Sequence, residues 1–551
     1  MGVPYTDVNI LVVEDQRPFL ILLKGLLTNL GAKDVMTANQ AEQAVRFCRN
    51  HQVDIVVCDL HLGNNKKNGF ELYQELMHRK LISPGTVFLL ISADATRPVV
   101  LGSIEHKPDD YLLKPFSQAQ LKSRLNRSWQ RKQYFKKVLL ALSKQDYISA
   151  TAELDAMHNM PAPYQRVALE IRLEILWRQQ RYQQALALLQ GQTEQLPSQW
   201  AQLALGKTYL AMQQFDDAIK CAKKVLLLNQ FDPEALDILA QAKSAQQHPD
   251  EALEHIRQAI KNSPYSLQRQ MLAARIARDS ADYELLTEAT RATWQLSKNT
   301  IFKNVNYWCN HISSLLDAAE AAESKNHRHR YQQEALLQLQ RAPQDEALNR
   351  LDEPFSLDIF DQIVHARMDA IDGKLINAKR TLMDCQNAID KEFELYPASL
   401  APSSLQLMVD LGEFDEVNRL LTTLANQQTE LEDSSRLLVR KMTKQVKASE
   451  QQYTHINRRG IQLYQQEKFA DAKAAFNSAL ALSPVNAGIA LNLLQCLIKL
   501  VGNPDEDDAA LIKEARQVYK ILSNAPMREQ HQSKFDGLKG ELARVGITAP
   551  A

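Results

Sequence analysis

The sequence predicts a multidomain chain: an α/β doubly wound domain at the N-terminus, followed by an all-α helical-repeat superhelix. Three observations predict this. Continuous apolar runs alternate with amphipathic stretches over residues 1–130. Beyond them, an aromatic or apolar residue followed three positions later by a small one recurs at a nearly constant step. Gly is only 17 and Pro only 20 in 551 residues, too few turn residues for an all-β chain.

Ile10–Val13 is a short apolar run that reads as a buried parallel strand, ending in Glu14 and Asp15. An amphipathic helix over Arg17–Leu30 follows, with Gly31 as its stop. Val53–Cys58 is the next strand and ends in Asp59. Gly69 leads into a helix over Phe70–Arg79. Thr86–Ile91 is another strand, ending in Ser92, and Asp110–Lys114 is the last. Pro115 then precedes a helix starting near Ser117. Strands that alternate with helices form a parallel sheet, whose sites lie at the carboxyl ends of the strands.

Glu14, Asp15, Asp59, Ser92 and Lys114 all fall at such ends, so one rim collects them. Three clustered carboxylates repel one another and require a cation. Oxygen-only ligands suit Mg²⁺. A lysine can hold a phosphoryl oxygen as a point charge and a serine hydroxyl can donate to it. A central carboxylate can then act as the nucleophile toward phosphorus.

This stretch resembles the receiver domain of two-component response regulators, a flavodoxin-like fold. The resemblance rests on Glu14-Asp15, Asp59 after Val56-Val57-Cys58, Ser92-Ala93 and Lys114-Pro115-Phe116. It implies that Asp59 accepts a phosphoryl group from a histidine kinase and becomes 4-aspartylphosphate. It implies that Glu14 and Asp15 bind Mg²⁺ together with Asp59 and the backbone carbonyl of His61. Ser92 would sense the phosphoryl group and Lys114 would contact it. Tyr111, three residues before Lys114, matches the aromatic switch position. The sequence departs from the family in one loop. Gly63 and Gly69 flank Asn64–Asn68, which makes the loop about two residues longer and puts Lys66 and Lys67 beside the site. A tolerated surface insertion is the simpler reading, since loop length costs little.

The remaining chain reads as repeats. The pairs Tyr147/Ala150, Tyr182/Ala185, Phe215/Ala218, Pro249/Ala252 and Tyr283/Leu286 step by 35, 33, 34 and 34 residues. With Leu205-Gly206, Tyr209 and Val225, this pattern resembles the tetratricopeptide repeat (TPR), a helix-turn-helix. A second match is Gly460, Phe469, Ala472, Phe476, Ala479 and Pro484, with weaker ones at Leu375/Ala378 and Phe414/Val417. Such units bury their apolar faces only by stacking. The expected divisions are 1–130, 131–296, 297–455 (irregular, degenerate repeats) and 456–551. Within the irregular part, His327–Arg330 reads as a solvated basic turn, Leu431–Tyr453 as a long polar connecting helix, and Asn503–Asp508 as an acidic insertion.

Lys+Arg and Asp+Glu are both 65, so net charge gives no case for nucleic acid or an anionic membrane. The basic stretch from Arg124 to Lys137 is the local exception, read most simply as the solvated face of a helix that joins the two parts. The six cysteines are dispersed, without a CxxC pair, and read as reduced thiols. Residues 1–6 match the loose myristoylation pattern but lack a basic second signal, and no apolar run suits a membrane span. A cytoplasmic location is expected.

The function these readings predict is a phosphorylation-dependent response regulator, not an enzyme beyond its own phosphorylation and slow dephosphorylation. Its partners are a histidine kinase and a protein or peptide bound in the TPR groove. One alternative is a modulator or inhibitor of kinase phosphotransfer to another regulator. A DNA-binding regulator acting through residues 124–137 is the other. A homo-oligomer also stays open.

Overall fold

The computed structural model describes residues 2–63, 67–96, 108–157, 160–193, 198–349, 351, 353–427, 433–502, 507–524, 526–527 and 529–544. Asn64–Lys66 of the long loop, residues 431–432 and residues 503–506 of the acidic insertion lie outside the described residues. The chain divides into two compact units, Met1–Lys303 and Asn304–Ala551.

The first unit opens with a five-stranded parallel sheet. Its strands are β1 (Ile10–Val13), β2 (Val35–Ala38), β3 (Ile55–Asp59), β4 (Val87–Ser92) and β5 (Asp110–Leu113), in the order β2-β1-β3-β4-β5. Side chains alternate across the sheet. Leu11, Val13, Val56, Cys58, Phe88 and Leu90 face one layer, which holds α2 (Ala41–Asn50) and α3 (Gly69–His78). Ile10, Val12, Ile55, Val57, Leu89 and Ile91 face the other, covered by α1 (Arg17–Asn29) and α4 (Gln118–Tyr134). Both faces are dry, which is why the strands read as unbroken apolar runs. β2 and α2 are absent from the sequence-based expectation. Val35–Ala38 has only four residues, and its two central ones are half-buried, so it carries no apolar run.

After a break at Phe135 the first unit continues as helical hairpins from Lys136 onward. Each hairpin turns through one residue with positive φ: Gln145, Gln180, Gln213, Gln247 and Ala281. Each lies two positions before the aromatic or proline of the recurrent pair. Ala150, Ala185, Ala218, Ala252 and Leu286 are all fully buried, where the second helix of a pair approaches its neighbours. Gly206 serves the same end: a Cβ there would meet Ile238 at 3.1 Å. The left-handed turn predicts its own test. Gln213→Gly should stabilise the array by about 1 kcal/mol, since only glycine adopts that conformation without steric cost, and Gln213→Val should destabilise it. Thermal melts of the two variants check this.

The second unit is also helical. Its hairpins include Leu357–Ile371 with Leu375–Glu392 and Ala401–Asp410 with Phe414–Asn426. They turn at Gly373 and Gly412, both with positive φ two residues before Leu375 and Phe414, and Glu467 holds the same place before Phe469. The weak matches are therefore built like the strong ones. Two expectations are corrected here. His327–Arg330 lies in the helix Lys325–Arg341, capped by Ser324, and is not a turn. The polar helix spans Asp433–Gln465, running on through Gly460 because nothing between Tyr453 and Gln465 breaks it. A Cβ on Gly460 would lie 2.7 Å from the Phe476 ring, which explains the glycine.

This unit encloses one arginine among carboxylates. Arg367 is 1% exposed and pairs with Asp317 at 3.0 Å. Nearby Asp410, which accepts from Gln406 at 2.7 Å, is pushed from the usual 3.8 up to about 7. Burial is the main cause; the charges of Glu320 and Asp317 add to it and Arg367 opposes it. The folded state therefore holds a proton that the unfolded chain releases near pH 4. Its stabilising contribution is full below that pH and is lost as pH rises toward about 7. Asp410→Asn should flatten this part of the stability profile, which melts at pH 5 and pH 8 would show.

Candidate phosphoryl-acceptor site

Strand register brings the polar rim together. Val13 pairs with Cys58, so the next residues, Glu14 and Asp59, stand side by side. Asp59 pairs with Ile91, which puts Ser92 one step beyond it on β4, and Ser92 pairs with Leu113, directly before Lys114. Backbone hydrogen bonds continue past the strand ends. Glu14 N donates to Ala38 O at 3.0 Å, Leu60 N to Ile91 O at 2.8 Å and Lys114 N to Ser92 O at 2.8 Å. The rim is held by the sheet itself.

Lys114 Nζ closes the site, 2.8 Å from Glu14 Oε2 and 3.0 Å from Asp59 Oδ2. It also lies 4.1 Å from the centre of the Phe19 ring, which packs edge-on against Phe116. The Lys114–Pro115 peptide is cis. Glu14 is fully buried, Asp59 nearly so and Asp15 exposed. Burial raises the Glu14 carboxyl above its usual range, the hydrogen bond from Lys114 opposes this, and the charge of Asp59 adds to it. The ligand oxygens of Glu14, Asp15 and Asp59 lie within 4.8 Å of one another, the acidic triad typical of a receiver Mg²⁺ site. One ammonium facing three carboxylates leaves excess negative charge, and hard oxygen donors fit that ion.

On the β4–β5 side, Ser92 Oγ accepts from Asp94 N at 3.0 Å. The half-buried Tyr111 donates its hydroxyl proton to Asp94 O at 2.9 Å. Burial raises the Tyr111 phenol above its usual value, and a hydrogen-bond interaction with Ser92 opposes the rise. The exposed His61 follows β3 by two residues. Of the two loop lysines, Lys67 turns to the buried Glu75 at 2.7 Å, which Arg79 also pairs at 3.0 Å. Asn68 caps α3 through a reciprocal pair with Glu71.

The basic stretch is largely neutralised. Arg124 and Arg127 pair with Asp110 at 3.1 and 2.6 Å, and Arg131 and Lys132 with Asp109, both at 3.2 Å. These pairs tie α4 to the start of β5, next to Tyr111. Sequence reasoning missed this clamp, as well as Phe19 and Asp94, because none of them carries a local signal.

Residues 10–126 match the response regulator receiver domain family. Residues 176–242 and 457–526 match tetratricopeptide repeat families. The chain carries a receiver domain followed by tetratricopeptide repeats. The receiver is similar to the alkaline phosphatase synthesis transcriptional regulatory protein PhoP of Bacillus subtilis (strain 168), with 34% identity over 116 residues, 21% of this chain and 46% of that protein. It is also similar to the transcriptional regulatory protein YvrH of the same organism, with 29% identity over 133 residues, 23% of this chain and 53% of that protein. The chain spans about half the length of these relatives. Among solved structures, the signal receiver domain of an HD domain-containing protein from Pseudomonas fluorescens Pf-5 is 25% identical, covering 23% of this chain and 98% of that chain, with a TM-score of 0.21. All six cysteines of the chain are buried and free. Among the described residues, no helix is long and apolar enough to cross a membrane.

Proposed function

We propose that the protein is a phosphorylation-dependent response regulator whose repeat region is a protein-interaction output. The observation that carries this reading is Lys114 Nζ bridging Glu14 and Asp59 at the strand ends. An Asp59 carboxylate oxygen attacks the phosphorus of a kinase phosphohistidine. The new O–P bond replaces the N–P bond, and the imidazole leaves with its electron pair. Lys114 offsets charge on the incoming group, and the Ser92 hydroxyl donates to one of its oxygens. Mg²⁺ held by Glu14, Asp15, Asp59 and the His61 carbonyl would supply further neutralisation of the phosphoryl oxygens. Withdrawal of Ser92 toward the phosphoryl group alters the Ser92–Tyr111–Asp94 cluster, and Tyr111 acts as the switch residue. The Asp109 and Asp110 ion pairs carry that change into α4 and the first hairpin, because no Gly/Ser/Pro linker intervenes.

The bound ligand can shift a two-state equilibrium only by its differential affinity for the two states. Hydrogen exchange of the full chain with Mg²⁺, with and without beryllofluoride as phosphoryl mimic, tests the coupling. Altered protection is expected in 110–134 and in hairpins beyond 135. A response confined to residues 1–134 would separate the receiver from the repeats and refute control of the output.

A further inference from the structure

The Lys114 ammonium has an aromatic neighbour as well as its two carboxylates. Nζ donates to Glu14 Oε2 at 2.8 Å and to Asp59 Oδ2 at 3.0 Å, and it stands over the Phe19 ring, 4.1 Å from the centre. A ring face is electron-rich and attracts a cation within about 6 Å, most strongly where water is scarce. Both conditions hold, since the Lys114 side chain is only 12% exposed. Other cation–ring pairs among the described residues are looser. Lys539, Arg166 and Arg330 stand 5.3, 5.4 and 6.0 Å from the rings of Phe535, Trp200 and Tyr331, and the first two side chains are exposed.

The fold fixes this ring from two sides. Glu14 Oε1 accepts from Gln16 N at 3.2 Å, and Phe19 N donates to Gln16 O at 3.0 Å. The first turn of α1 therefore hangs on the same carboxylate that pairs with Lys114. Pro18 suits that turn, where a backbone N–H has no intrahelical acceptor. Phe116, two residues after Lys114, meets the Phe19 ring edge-on, with centres 5.9 Å apart and planes at 88°. The half-buried ring is thus gripped by α1 and by the end of β5.

We infer that Phe19 is a positioning residue for phosphoryl transfer, its ring holding Lys114 Nζ at the rim while Asp59 loses its charge. The inference rests on the reading of Asp59 as the phosphoryl acceptor. When an Asp59 oxygen bonds to phosphorus, the carboxylate is no longer an anion and its hold on Lys114 weakens. The N–H that it releases can turn to a phosphoryl oxygen. Glu14 and the ring keep the ammonium within reach during this exchange. The ring attracts the cation but has no lone pair, so it does not compete with the phosphoryl oxygens as an acceptor. A cation already in place needs no reorganisation as charge moves in the transition state. An aliphatic side chain of similar size would give contact without that attraction, and the ammonium would spend more time away from the rim.

The test weakens the electron density of the ring and keeps its shape. In the full chain, Phe19 is replaced by mono-, di- and trifluorinated phenylalanine, and separately by leucine (Phe19→Leu). Acetyl phosphate in Mg²⁺ supplies the phosphoryl group, its O–P bond breaking as acetate leaves, and the initial rate of labelling is followed. That rate is expected to fall with each added fluorine, by about fivefold over the series, as for a partly desolvated cation–π contact. Phe19→Leu should lose at least as much. Thermal melts without a phosphoryl donor give a second readout. Fluorination should lower the melting temperature of the Lys114 chain relative to the same rings in Lys114→Met, where the cation is gone. A labelling rate that ignores fluorination, or a melting series that runs the same in both backgrounds, would overturn the role of Phe19 and leave Asp59 as the acceptor. A wild-type chain that takes up no label would instead overturn the acceptor reading, and this role with it.

Discussion

Asp59→Asn is expected to take up no phosphate from acetyl phosphate in Mg²⁺, whereas the wild-type chain becomes labelled with an acid-stable, base-labile acyl phosphate. The substitution keeps the shape of the side chain and removes the nucleophilic carboxylate. Lys114 retains its 2.8 Å ion pair with Glu14, so the rim stays assembled. Two consequences for stability follow from charge. Without divalent ions the variant should melt above wild type, because one of three clustered carboxylates is gone. Addition of millimolar Mg²⁺ should stabilise wild type by mass action and the variant far less. Autoradiography and thermal melts with Mg²⁺ or EDTA read both effects. Labelling of the variant at wild-type level would remove Asp59 from the acceptor role.

Gly69→Ala carries the second large effect. Gly69 is the first residue of α3, and its N–H donates to Leu60 O at 2.8 Å. An added Cβ would lie 2.6 Å from the carbonyl oxygen of Asp59 and 2.7 Å from Leu90 Cδ2. The first neighbour is backbone of β3 and cannot swing aside, so α3 or the end of β3 must move. Overpacking of this kind costs about 1–3 kcal/mol, and the rigid neighbour puts this site at the upper end. Amide exchange in β3 should accelerate by roughly one to two orders of magnitude, with slower acetyl-phosphate labelling as Asp59 is displaced. Gly25→Ala is the control, since a Cβ there meets nothing within 4 Å. Unchanged exchange in Gly69→Ala would show that the close approach is readily relieved.

Both predictions concern residues visible in the sequence, and the contrast with the rest is instructive. The strands that carry Glu14, Asp59, Ser92 and Lys114 are legible because burial on both faces demands unbroken apolar residues, and the polar residue that ends each run stands out. The repeat step is legible because close helix packing demands a small residue at a fixed offset. β2 is not, since a four-residue strand with a half-buried middle matches no period. The left-handed turns of the first unit are also hidden, because Gln occupies four of the five and carries no sign of positive φ.

The sequence by itself determined which side chains reach the rim and where the hairpins recur, since both follow from local periodicity and the need to bury apolar surface. Tertiary structure alone decided how charges are spent. Lys114 meets Glu14 across 100 residues of chain, and Arg124 to Lys132 close on Asp109 and Asp110. A charge acts over a few ångströms of space, not of sequence, so only the folded chain shows that the basic run of 124–132 is neutralised by acids of β5 and its approach.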